Sequence, residues 1–370
     1  MKVGCVKEIK NNEFRVGMTP GNVKSYVQEG HSVFIERDAG SGSGFSTEEY
    51  KGAGAVIVGS AEEVWRDSDM IIKVKEPLEG EYKYFRKGLI LYTYLHLAAD
   101  RPLTDALLKS GVCGVAYETL IEHNGSLPLL APMSQIAGRL SIQEGAKYLE
   151  KPFGGSGVLL SGVPGTPKAR VLIVGAGVVG SNALKIAVGM GAEVSIVDVN
   201  LERLAHLDDL YGNRIQTLNS TPVTIEEASA DADLVIGSVL IPGKAAPKLI
   251  KRKYLKNMRP NSVIVDVAVD QGGCCETTKV TYHDDPTFTV DGVLHYCVGN
   301  MPGAVPRTST IALTNATQRY GLQIAGKGLK RACSDNPVIY SAINTVGGAC
   351  TCLNVCLGYG FDCVKPESAI

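Results

Sequence analysis

The sequence predicts an α/β protein of two doubly wound domains joined by long helices, on three observations. Its 370 residues exceed one domain at roughly 150 residues each. Short apolar runs alternate with helical patterns from end to end, as in βαβ units built on parallel sheets. Glycine is abundant, with 42 residues against 17 prolines, as tight strand-to-helix turns require and unlike collagen or linker sequence.

The elements follow in order. Residues 2–9 read as a first strand, and the loop NNEFRVGM carries the chain to Thr19-Pro20, a hydroxyl N-cap followed by Pro at the first helical position. That helix stops at Gly30, and HSVFIE is the next strand. DMIIKVKEP, GLILYTYLHLA and VCGVAYE read as buried strands that turn polar at their C-terminal ends. PMSQIAGRLSIQEGAKYLE has helical spacing and connects to a second series, in which DADLVIGSVLIPG and NSVIVDVAVDQGG are strands. Residues 306–329 read as a long helix, expected to return the chain to the first domain. No internal repeat is visible.

Composition excludes several function classes. With 45% hydrophobic and 20% charged residues the chain is too apolar for disorder. The 37 Lys plus Arg balance 38 Asp plus Glu, leaving no field to hold nucleic acid. No window reaches the ~18 consecutive apolar residues of a membrane helix, and MKVGCVKEIK has the alternation of a strand rather than a signal peptide. The ten cysteines are expected as thiols in a reducing cytoplasm. Cys350, Cys352, Cys356 and Cys363 crowd the C-terminal end without C-x-x-C pairs or His partners, so no metal is expected and they read as small buried apolar groups.

Gly175-Ala176-Gly177-Val178-Val179-Gly180 matches G-x-G-x-x-G between the strand RVLIV and a helix, and a second strand ends in Asp198. The acid falls about twenty residues past the glycines, as in a Rossmann-like dinucleotide unit. Gly175 permits the tight turn, Gly177 lets the backbone approach a pyrophosphate, and Gly180 lets helix and strand pack closely. Asp198 suits two ribose hydroxyls and repels a 2′-phosphate, which favours NAD over NADP, although Arg203 nearby is a residue type that accepts that phosphate.

Ligands of open α/β sheets sit beyond the carboxyl ends of the strands. Lys73 and Lys75, His96 and Asp270 fall at such ends, and Arg15 lies in the loop after the first strand. Two cations can fix a carboxylate, an imidazole can move protons and a carboxylate can steady a cation. Such a set suits hydride transfer from an amino acid or a 2-hydroxy acid, and the pattern does not choose between them.

The motifs NNEFRVGMTP, KVKEP, TYLHLA, YETL, LPLLAPMSQIAGR, GVPG, GAGVVG, GSVLIPG, VDVAVDQGG, PTF, YCVGNMPGAVPRTST and ALTNAT resemble, in order, those of the NAD-dependent alanine dehydrogenases. The resemblance covers residues 1 to about 330 and thins after Asn336. It implies reversible oxidative deamination of L-alanine to pyruvate and ammonium, with NAD as cofactor. It makes Arg15 and Lys75 the ligands of the substrate carboxylate, His96 the general acid/base and Asp270 a helper at the amino stage. Ser134, Val178, Asp198, Arg203, Ser220, Val239, Leu240, Val267, Ala268, Val269, Asp270, Val298, Gly299, Asn300 and Met301 match the family's cofactor-lining positions. It further implies a cytoplasmic homohexamer and a cleft between the two domains. The substrate domain would be residues 1–129 plus 306–370, and the NAD-binding Rossmann domain residues 130–305. The soluble NAD-binding component of transhydrogenases is similar but lacks the family's catalytic His, which here is His96. Saccharopine dehydrogenase agrees less well in its motifs.

Overall fold

The computed structural model describes residues 1–239 and 246–370, so Leu240, expected near the cofactor, lies outside the described residues. The chain divides into two compact units, one of Met1–Met133 with Val305–Ile370 and one of Ser134–Ala304. The cuts expected at 129/130 and 305/306 thus fall at 133/134 and 304/305. The first lies inside the helix Ala131–Tyr148, and the second just precedes the helix Pro306–Lys327.

The described residues form fifteen strands. They are β1 (Lys2–Cys5), β2 (Ser32–Glu36), β3 (Val56–Val58), β4 (Met70–Ile72), β5 (Ile90–Thr93), β6 (Cys113–Ala116), β7 (Arg170–Val174) and β8 (Glu193–Asp198). Then come β9 (Ile215–Asn219), β10 (Leu234–Gly237), β11 (Val263–Asp266), β12 (Thr287–Val290), β13 (Val293–Tyr296), β14 (Ile343–Val346) and β15 (Ala349–Cys350).

In the first unit the strand order is β15-β14-β6-β5-β4-β1-β2-β3. Strands β1 to β6 pair in parallel, while β14 and β15 add an antiparallel edge. The order reverses between β1 and β4, the crevice position where such sheets bind ligands. The capping read at Thr19 is present: its hydroxyl accepts the Asn22 N–H, Pro20 opens the helix Pro20–Gln28, and Gly30 follows in the left-handed region at φ 82°. The core beneath the sheet joins Trp65, Leu91, Leu95, Leu97 and Leu103.

The expected strand at residues 2–9 ends at Cys5. Beyond it the Glu8 carboxylate, not a backbone carbonyl, accepts the N–H of Val74 at 2.7 Å, so the ladder stops where a side chain replaces it. β4 likewise ends at Ile72, leaving Lys73 and Lys75 past the strand.

In the second unit the order is β12-β13-β11-β10-β7-β8-β9, the 3-2-1-4-5-6 arrangement of a dinucleotide fold with one further edge strand. Only β12 runs antiparallel. The β12–β13 hairpin turns at Asp291-Gly292 with φ of 48° and 82°, the signs a two-residue primed turn requires. β11 ends at Asp266, so Asp270 lies beyond the strand in the single turn Val269–Gln271. Leu172, Val174, Val235, Ile264 and Tyr254 share the core of this unit.

Candidate functional site

The reversal between β1 and β4 gathers the polar residues of the first unit. Arg15 lies in the loop after β1, Lys75 and Glu76 follow β4, and His96 follows β5. Gly17 lets that first loop cross close to β4, because a Cβ there would meet the Ile72 carbonyl oxygen at 2.8 Å.

The two lysines after β4 differ. Lys73 is fully buried and lies 3.2 Å from Glu8 and 3.0 Å from Glu81. Burial works against its charge, but the two carboxylates outweigh it and hold its pKa above the ordinary lysine value. It is a buried ion-pair centre. Lys75 is half-buried and its charge reaches Glu76.

Arg15 is buried, and Glu13 holds its guanidinium through Nε at 2.6 Å and Nη2 at 2.5 Å. Burial disfavours the cation, and the Glu13 carboxylate more than restores it. Nη1 points at the Met133 sulfur, 3.1 Å away. Glu13 therefore takes one edge of the fork.

His96 adopts a left-handed backbone, φ 51° and ψ 33°, which costs a residue other than glycine about 1–2 kcal/mol. The Glu118 carboxylate secures it by accepting the N–H groups of Leu95 at 3.1 Å and His96 at 2.6 Å. The ring stacks on Tyr94 with centroids 5.7 Å apart, and Nδ1 lies 3.1 Å from Glu76 Oε2. Glu76 also pairs with Lys10. Burial raises the Glu76 pKa, but the His96 hydrogen bond, the Lys75 charge and Lys10 together pull it well below the carboxylate range.

In the second unit the glycine turn stands at the reversal between β7 and β10. Gly175 has φ 103°, and a Cβ there would strike Val239 at 2.7 Å. A Cβ on Gly180 would fall 1.8 Å from the Gly175 oxygen, whereas one on Gly177 would meet nothing within 4 Å. That open space lies at the N-terminus of the helix Val178–Gly189, which no side chain caps, so its backbone N–H groups suit an anion. Ser238, which the sequence shows only as part of GSVLIPG, locks the turn with its single hydroxyl proton, shared between the carbonyls of Val174 and Gly175 at 2.8 and 3.0 Å.

Asp198 ends β8, with Ser220 bonded to its carbonyl at 2.9 Å. Arg203 is tied to the turn, donating to the Ala176 carbonyl at 2.9 Å and Ser181 Oγ at 2.8 Å. Asp270 Oδ2 accepts the Asn300 N–H at 3.1 Å, which brings together the 267–270 and 298–301 segments. Within them Ala268, Val269, Val298 and Met301 are buried. Val267 donates to the Gly237 carbonyl at 2.9 Å, and a Cβ on Gly299 would lie 2.9 Å from Asp270 Oδ1. Ser134 is half-buried in the first turn of Ala131–Tyr148.

The cysteine-rich tail packs behind the His96 segment. Cys350, Val355 and Cys356 share one apolar cluster with Leu95 and Leu97, and Tyr359 Oη donates to the Ala98 carbonyl at 3.0 Å. All ten cysteines are unpaired thiols, and Cys363 is exposed rather than buried as expected. Among the described residues no cluster of three metal-ligating side chains forms, and no helix is long and apolar enough to cross a membrane.

The family described as Alanine dehydrogenase/PNT matches in both parts, its N-terminal domain over residues 4–137 and its C-terminal domain over 141–352. The chain is 54% identical to "Alanine dehydrogenase" of Bacillus subtilis, covering 100% of this chain and 98% of that protein. It is equally identical to "Alanine dehydrogenase" of Methanococcus maripaludis, with 100% of both covered. These alignments run through the cysteine-rich tail. Among solved structures it matches "L-ALANINE DEHYDROGENASE" at TM-score 0.95 and 50% identity, over 97% of this chain and 99% of that one. A transhydrogenase from Sinorhizobium meliloti matches at TM-score 0.81 and 25% identity, over 95% and 99%. Matched in both domains and more than half identical to curated members along its whole length, the chain belongs to the alanine dehydrogenase/PNT family.

Proposed function

We propose that this chain catalyses the reversible oxidative deamination of L-alanine to pyruvate and ammonium with NAD. One observation carries the reading beyond the family: Arg15, Lys75 and His96 come from the segments that follow β1, β4 and β5, the strands about the reversal of their sheet. The residues of the second unit fit NAD. The open space over Gly177 and the uncapped helix N-terminus suit a pyrophosphate, and the Asp198 carboxylate suits ribose hydroxyls while disfavouring a 2′-phosphate. Arg203 is already committed to Ala176 and Ser181, which supports NAD over NADP.

Bound NAD supplies the acceptor for the hydride leaving the substrate Cα. Arg15, oriented by Glu13, and Lys75 hold the carboxylate of alanine, and Lys75 also polarises the carbonyl that develops. Loss of hydride from Cα and a proton from nitrogen leaves iminopyruvate. Water then adds to the imine carbon while His96 accepts its proton. The carbinolamine nitrogen gains a proton, the C–N bond breaks, and ammonia leaves as the hydroxyl proton is removed. Asp270 steadies the positively charged amino group at that stage. By family resemblance we also propose that the protein is a cytoplasmic homohexamer of amino-acid catabolism, which sedimentation of the purified protein tests for size.

The second reading, an NAD(H)-binding module without a substrate of its own, is less well supported. The transhydrogenase match is 25% identical against 50% for the alanine dehydrogenase. NADH oxidation dependent on both pyruvate and ammonium supports the enzyme, and NADH binding without turnover supports the module.

A further inference from the structure

We propose that Glu76 is a positioning residue for this reaction, fixing His96 as the Nδ1–H tautomer and so leaving Nε2 as the proton-accepting nitrogen. The inference rests on the proposed role of His96 as acid/base. Stacking on Tyr94 and the two Glu118 hydrogen bonds set where the ring lies, but neither decides which nitrogen carries the proton. Glu76 does.

Its two oxygens have different partners, Oε1 with Lys10 and Oε2 with His96 Nδ1. An ionised carboxylate only accepts, so the imidazole must donate from Nδ1. The neighbouring Lys10 and Lys75 charges keep this acceptor anionic although the residue is only 9% exposed, since burial works against the charge. Glu76 touches neither substrate nor reacting atoms in this account. It acts through His96.

The test is the isosteric E76Q beside E76L. Lys10 has only donors, so in E76Q it takes the amide oxygen and turns the amide NH2 toward His96. Nδ1 must then accept, the ring proton moves to Nε2, and the base is lost. E76L imposes no tautomer and leaves part of the population competent. We expect E76Q to lose kcat by roughly 10²–10⁴-fold and to be slower than E76L. KM for alanine and Kd for NADH stay within about threefold of wild type in both.

A purely structural role makes the opposite ordering, because the isostere disturbs packing least. E76Q as active as E76L or more so, or a loss expressed in KM rather than kcat, would overturn the proposal. Should E76L fail to fold, K10M/E76Q decides. Removing Lys10 lets the amide rotate its oxygen to Nδ1, so kcat recovers relative to E76Q, and no recovery overturns the proposal. Wild-type protein inactive with alanine would instead overturn the activity on which this rests.

Discussion

Asp198 Oδ2 accepts the backbone N–H of Ala176 at 2.6 Å. The acid that ends β8 is thereby bonded to the middle of the glycine turn that ends β7, and Arg203 grips the carbonyl of the same residue. On the proposed reading, recognition of the ribose and the shape of the glycine turn share one carboxylate. Its other oxygen accepts the Asn200 N–H at 2.8 Å.

Asp198→Ala removes a ribose acceptor, a repulsive charge and a support of the turn together. KM for NAD should rise, and the preference for NAD over NADP in kcat/KM should fall by about tenfold or more. Steady-state kinetics with both cofactors check this. An unchanged preference removes Asp198 from cofactor choice.

Lys73→Met tests the assignment of this lysine to structure. Removing the ammonium leaves Glu8 and Glu81 buried without their shared cation, so unfolding free energy in urea should drop by about 3–5 kcal/mol. Lys75→Met, at the half-buried neighbour, should abolish turnover with a much smaller loss of stability. A stable Lys73→Met with poor pyruvate binding would reverse the two roles.

His96→Ala should abolish turnover while leaving NADH binding, read by nicotinamide fluorescence, near normal. The tail that packs on Leu95 and Leu97 holds the segment in either case. A variant that kept most of its kcat would exclude His96 from proton transfer.

Glu76 also links stability to acid. Its folded pKa lies below the ordinary carboxylate value, so its contribution is complete above the unfolded value of ~4.3 and is lost as pH falls below that toward the folded one. Compared with E76Q, wild type should have its greatest advantage in unfolding free energy above about pH 5, narrowing steadily below. An advantage independent of pH down to acid would mean that packing, not charge, makes the difference.

What was legible in the sequence is what short stretches dictate. The glycine turn, its helix and Asp198 lie within one βαβ unit, and the spacing alone orders them. The Thr19 cap and Pro20 are equally local. Strands end earlier than periodicity suggests because side-chain carboxylates take the backbone N–H groups just past them: Glu8 takes the Val74 N–H, and Asp266 takes the N–H of Ala268 at 3.2 Å. Periodicity carries no trace of either. Lys73 and Lys75 looked alike because only the carboxylates of Glu8 and Glu81, from two other segments, separate them. Glu76 lies within KVKEP, yet its meaning depends on His96, twenty residues away past the end of the next strand. The Asp291-Gly292 hairpin, by contrast, is local, and Asp-Gly between two strands is itself a two-residue turn signal.

The most direct test of the central claim is NADH oxidation by the purified chain with pyruvate and ammonium, each omitted in turn. The account predicts oxidation only when both are present, and NAD reduction when L-alanine alone is supplied. Oxidation with pyruvate alone would make this a 2-hydroxy acid enzyme, and NADH binding with no oxidation under any of these conditions would contradict the assignment of alanine chemistry to this site.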